Sequence, residues 1–170
     1  MAWMIHMAIP EDQAILAAVG KIALRHGQLD HVLRMTIKSL TGVSANEAID
    51  ATARQGSREL RERIRKLARR RLGEGVALVQ LEAILERCRR ATEKRNELLH
   101  SLWGHQLDGG PVMRTHGYEL VAIPSVQELE AVAEALFQVA KDLDTARWDG
   151  FLSEALAIRT LPTGSADDAR

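Results

Sequence analysis

Apolar residues recur at helical spacing along most of this chain, and the recurrence stops at Gly, Pro and Ser clusters that divide it into elements. Ile15, Leu16, Val19, Ile22, Ala23, Leu29, Val32, Leu33, Ile37 and Leu40 form one long stripe. Pro10-Glu11-Asp12 predicts its start, with Pro at the first helical position and acids in the first turn, and Thr41-Gly42 predicts a glycine C-cap. Gly20 and Gly27 within the stripe predict close packing or a bend. Ser44-x-x-Glu47 is a capping-box signature for a short helix through about Ala53. Gln55-Gly56 breaks that helix, and Ser57 is placed to cap the next one.

In that third helix Leu60, Ile64, Leu67 and Leu72 make a narrow apolar stripe, so one face docks and the others meet water. Gly73 and Gly75 end it. A further helix is predicted from about Val76 to Leu102, with Leu78, Leu81, Ile84, Leu85, Cys88 and Ala91 facing the core and a turn at Gly104. From Gly104 to Pro124 the pattern changes: Asp108-Gly109-Gly110-Pro111 is turn chemistry, and Val112, Met113, Tyr118, Leu120, Val121 and Ile123 predict a small hairpin or extended excursion. Ser125-x-x-Glu128 is a second capping box and opens an amphipathic helix through Leu143. A weaker helical segment over 144–159 carries Trp148, Phe151, Leu152 and Leu156.

The predicted fold is therefore all-α: an up-and-down bundle of four to six helices with a small hairpin or extended insertion near 105–123. One domain over 11–160 is expected, with an N-terminal extension over 1–10 and a disordered tail over 161–170. The 170 residues suffice for a real core, and 46% hydrophobic with 27% charged residues is ordinary for a soluble globular protein. No apolar run approaches the roughly 18 residues of a membrane span, and Met1 to Pro10 lacks the basic start and apolar core of a signal peptide. Cys88 is the only cysteine, which excludes an intrachain disulfide and a Cys-rich zinc site, and its apolar neighbours predict a small core residue. A cytoplasmic location is expected. With no Walker loop and no dinucleotide fingerprint, no cofactor is expected.

Net charge is zero, but its distribution is uneven: Arg54 to Arg95 holds 14 Arg and Lys against 6 Glu. A basic face on a neutral protein points towards a polyanion. Arg58, Arg61, Arg65 and Arg69 recur along one side of the third helix and are the candidate contacts for a nucleic-acid strand. The alternatives are a solvated face laced with ion pairs and a cover for an acidic dimer partner.

The densest candidate chemistry ends the fourth helix, in Glu93-Lys94-Arg95-Asn96-Glu97-Leu98-Leu99-His100-Ser101-Leu102-Trp103. Asn96 and His100 are four residues apart and share a helix face, and Arg95 is about 100° away, within reach of it. A phosphate-binding cation, a carboxamide and an imidazole thus converge. The segment Arg95-Asn96-Glu97-Leu98-Leu99-His100 resembles the R-x4–6-H motif of the HEPN superfamily, in which a polar residue, often Asn, follows the Arg. A second loose match, Arg25 to His31, lacks the Asn.

The resemblance implies a small helical bundle, a homodimer that pairs two motifs across its interface, and a metal-independent ribonuclease or toxin. For a toxin it also implies a nucleotidyltransferase-like antitoxin as partner. In such a reaction the 2′-OH of RNA attacks the adjacent phosphate. The protein must help remove that proton, stabilise the charged transition state and protonate the leaving 5′-oxygen. His100 is then the acid–base candidate and Arg95 the phosphate contact. Asn96 would orient His100 or bond the RNA, Ser101 is a weaker polar candidate, and Trp103 would stack a base or pack at the helix end. His105 and His116 are either exposed loop residues or a second imidazole beside His100, and His31 is either a polar-edge or interface residue or a catalytic one. Three His near this region without carboxylates at ligand spacing make a poor metal signal, so no metal is expected.

Three readings follow: a dimeric HEPN-like endoribonuclease with a toxin or defence role, a non-catalytic HEPN-like module that binds RNA, nucleotide or a partner, and an unrelated helical regulator whose basic helix meets DNA. In the blandest version of the motif Arg95 pairs with a glutamate of its own helix and His100 only ends it.

Overall fold

A computed structural model of the chain describes residues 5–106 and 109–159, with the side chain of Ile5 excluded. The expected tail over 161–170 lies outside the described residues. In chain order the elements are β1 (Ile5–Met7), α1 (Gln13–Thr41), α2 (Ala45–Asp50), α3 (Ser57–Leu72), α4 (Val76–Leu99), β2 (Trp103–Gln106), β3 (Met113–His116), β4 (Glu119–Ala122), α5 (Val126–Asp149) and α6 (Phe151–Ile158). The protein is a helical bundle, as the periodicity predicts, with a small antiparallel sheet attached.

Local chemistry sets most helix ends. Ser44 and Ser125 each close a capping box, accepting from the backbone N–H of Glu47 and Glu128 while those carboxylates accept from the cap N–H. Gly42 takes a left-handed φ of 75° and ends α1 by donating to Lys38 O. Helix α1 starts later than its Pro10 suggests: Asp12 is the N-cap, its Oδ1 accepting from Ala14 N at 2.8 Å and Ile15 N at 3.3 Å. Gly20 and Gly27 have open space where a Cβ would stand, and α1 continues through both, so neither serves close packing. At the other end of the chain α5 runs to Asp149 before Gly150 separates it from α6, beyond the weakening of its apolar pattern at Leu143.

Helix α1 packs on α5 and α3, and α4 packs on the same two. Ile22, Leu29, Leu33, Ile37, Leu60, Ile64, Leu81, Leu85, Leu129, Leu136 and Leu143 are fully buried between them. Each such side chain contributes about 1.5–3 kcal/mol by leaving water. Cys88 sits among them, and burial pushes its thiol up to about 12, so it is a core residue and no nucleophile at neutral pH. Among the described residues no helix is long and apolar enough to cross a membrane.

The insertion is larger than one hairpin. Strands β2, β3 and β4 form an antiparallel meander, and β1 adds at its free edge with Ile5 opposite Gln106 and Met7 opposite Gly104. The stretch expected to be a bare N-terminal extension thus carries a strand, and Gly104 lies within β2 where a turn was expected. The β3–β4 turn is Gly117-Tyr118, a two-residue loop with Gly117 at φ 59°, which a side chain would strain. Trp103 and Ile123 dock the sheet against the helical core.

Candidate functional site

Helix α4 ends at Leu99, about three residues short of the expectation from its apolar stripe. Leu102 leaves the helix because its backbone N–H is taken by Thr115 Oγ1 of β3, at 3.0 Å. Arg95 and Asn96 therefore occupy the last helical turn, and His100 is the C-cap, with φ −94° and its N–H donating to Asn96 O. This arrangement brings the three side chains together. Arg95 Nη1 donates to Asn96 Oδ1 at 2.8 Å and lies 3.1 Å from His100 Nε2. A guanidinium only donates, so Nε2 is the acceptor and the proton of neutral His100 is assigned to Nδ1. Asn96 bonds Arg95 and not the His100 side chain, whose orientation was one of the two roles expected of it.

Opposite the motif stands a second polar cluster, which the sequence reading did not single out. His26 and Asp30 are one turn apart on α1, with His26 Nδ1 4.0 Å from Asp30 Oδ2. Ser57 is the first residue of α3, behind the N-cap Gly56, so its hydroxyl is not the cap that its position predicts. That hydroxyl instead donates to Asp30 Oδ1 at 2.5 Å and lies 3.0 Å from His26 Nε2. With its one proton on Asp30, Ser57 Oγ accepts from His26 Nε2–H. Arg34 Nη2 donates to Gln55 O at 3.3 Å and ties the loop before Ser57 to α1. Burial, more than anything else, pulls His26 below the ordinary imidazole value. Arg95, Arg61 and His100 push it the same way, against Asp30, so His26 is neutral at pH 7.

The two clusters line one cleft of about 480 Å³ between α1, the start of α3 and the end of α4. Of the four arginines read along α3, Arg58 and Arg61 line it, whereas Arg65 and Arg69 do not. Arg58 is exposed and paired with Glu62 at 3.0 Å. Arg69 is paired with Glu82 at 3.0 Å and Arg65 is half-buried further along the helix. Arg61, expected on the solvated basic face, is only 5% exposed.

The remaining candidates lie elsewhere. Trp103 packs on the core, with its Nε1 donating to Leu98 O at 3.2 Å, and stands outside the cleft. Ser101 Oγ donates to Glu97 O at 2.6 Å and so satisfies a helix-end carbonyl. His105 Nδ1 donates to Gly110 O at 2.8 Å, and His116 Nδ1 lies 3.7 Å from Glu97. His31 is exposed and Arg25 stacks over Phe137 at 4.1 Å, so the second loose motif does not assemble. Among the described residues no cluster of three or more His, Cys, Asp or Glu is arranged to hold a metal ion.

One signal for the missed cluster was present in the sequence. His26 and Asp30 follow Ile22 at intervals of four and interrupt an apolar stripe that resumes at Leu29 and Leu33, so polar residues stand where core spacing demands apolar ones. Compared with family models, with curated proteins and with solved structures, the chain matches none.

Proposed function

We propose that this protein is a HEPN-like, metal-independent endoribonuclease that works as a homodimer, in a toxin or defence role. One observation carries the reading: Arg95 hydrogen-bonds the side chains of both Asn96 and His100 in a cleft whose wall bears further arginines. Of the bland version of the motif, His100 does end α4, but the ion pair is absent: Glu93 is held by Arg89 and Glu97 by Lys94, and Arg95 has no carboxylate partner among the described residues. His100 offers Nε2 as the site of proton transfer, and Arg95 offers N–H donors to a phosphate oxygen as its charge grows.

Base and acid need two groups. Two copies of His100 across a homodimer supply them, and an apolar groove beside the motif, bordered by Met7, Ile9 and Leu102, gives a surface for the second copy. A second arrangement is favoured by His26, which places a neutral imidazole in the same cleft of the same chain.

Purified protein is expected to cut labelled single-stranded RNA in EDTA and to leave 2′,3′-cyclic phosphate ends. Intact RNA after prolonged incubation, with the protein folded and dimeric, would sink the cleavage reading and favour the non-catalytic binding module. If His26 is the second proton-transfer group, His26→Ala lowers cleavage at least about tenfold and removes one limb of the pH–rate profile. Unchanged rate and profile would leave both transfers to the two copies of His100.

A further inference from the structure

Arg61 is the least expected charge in the molecule. Its position on α3 follows Leu60 and precedes Ile64, both fully buried, so the helix carries its side chain inward with them. The residue is 5% exposed, and its Nη1 is buried with no hydrogen-bond partner. Among the described residues no carboxylate comes within 4.0 Å of its guanidinium. Burial pulls the group below its ordinary value, although an arginine stays charged at neutral pH. A buried unpaired cation is costly, and removing such a charge often stabilises a fold. Asp30 and Glu93 act on it only from a distance, and its place in a cleft points to an anion from outside the chain.

The cleft's other charges agree. Arg95 also lacks a carboxylate partner, and its Nε is buried without one. Arg58 is paired with Glu62 and Glu93 with Arg89, so each of these two charges is compensated by a partner outside the cleft lining. Among the described residues Asp30 has no Arg or Lys within 4.0 Å; it is bound by Ser57, faces His26 and acts on Arg61 only from a distance. Two unpaired guanidiniums therefore stand against one carboxylate that is already engaged. Guanidinium forks match the oxygens of a phosphate and can meet its negative charge from two sides at once.

We propose that Arg61 and Arg95 together form a phosphate-binding subsite in this cleft, and that its ligand is a backbone phosphodiester of the RNA strand. The identity of the ligand rests on the ribonuclease reading; the site for a phosphate group does not. In this arrangement Arg61 grips from the cleft wall, Arg95 grips from the end of α4, and His100 is held by Arg95 beside the bound phosphate.

The test compares wild type with Arg61→Met, which keeps length but removes the charge, and with Arg61→Lys, which keeps the charge but loses the fork. Thermal unfolding is followed with and without inorganic phosphate, and binding of an all-deoxy strand, which lacks the attacking 2′-OH, is measured across salt concentrations. Phosphate is expected to raise the wild-type midpoint, to raise that of Arg61→Lys less, and to leave that of Arg61→Met unmoved. Without phosphate, Arg61→Met is expected to melt no lower than wild type. Its affinity for the strand is expected to fall at least about tenfold, with the salt slope reduced by about one. An equal phosphate response in all three proteins, or none in wild type, overturns the subsite. If Arg61→Met does not fold, a full wild-type response in Arg61→Lys overturns it as well. Loss of phosphate binding in Arg61→Met, with no RNA cut by wild type, keeps the subsite and rejects the ribonuclease. Cleavage with an equal phosphate response does the reverse.

Discussion

His100→Ala is expected to lower RNA cleavage by about 10²–10⁴-fold, the usual contribution of a positioned acid or base. The side chain is exposed at the C-cap of α4, and its backbone N–H keeps the bond to Asn96 O whatever the side chain. Stability should therefore change by no more than about 0.5 kcal/mol. Single-turnover rates on labelled RNA, with thermal unfolding and sedimentation of the same preparations, check both parts. Cleavage at the wild-type rate by a folded variant would remove His100 from the chemistry and with it the assignment of this motif.

Arg95→Ala is expected to lower cleavage by about 10²–10³-fold, by analogy with the loss of one donor from a preorganised oxyanion site. Two effects add. The guanidinium that would meet the developing charge on phosphate disappears, and His100 loses the donor 3.1 Å from its Nε2. Arg95→Lys separates them, because an ammonium retains a point charge but cannot present a planar fork to Asn96, His100 and a phosphate at once. Partial rescue by Lys, measured as kcat at saturating RNA, would show that charge matters more than geometry. A loss confined to KM, with kcat intact in Arg95→Ala, would reduce Arg95 to a binding contact that does not act in the transition state.

The candidate site shows why a motif and a site are different things. Arg95, Asn96 and His100 are near neighbours in sequence, so helical geometry alone brings them together, and the motif was legible. His26, Asp30 and Ser57 come from two other elements, and nothing in their spacing relative to residue 95 announces the meeting. Periodicity says which face of α1 turns inward, but not which polar residue of α3 will stand against it. For the same reason Arg61 looked like one of a row of solvated arginines until packing placed it beneath the cleft.

What the sequence by itself determined is what local physics controls. The Ser44 and Ser125 capping boxes, the Gly42 terminator and the apolar stripes of α1, α3, α4 and α5 all act within a few residues, where backbone hydrogen bonding and side-chain period leave few choices. Only the tertiary structure decided the pairing of Ile5–Met7 with β2, nearly a hundred residues away, which a short strand's sequence cannot specify. It also decided the early end of α4, because Thr115 of β3 captures the Leu102 N–H that the helix would have used. The cleft belongs to the same class: it exists where α1, α3 and α4 meet, and its charges acquire their character from burial and neighbours.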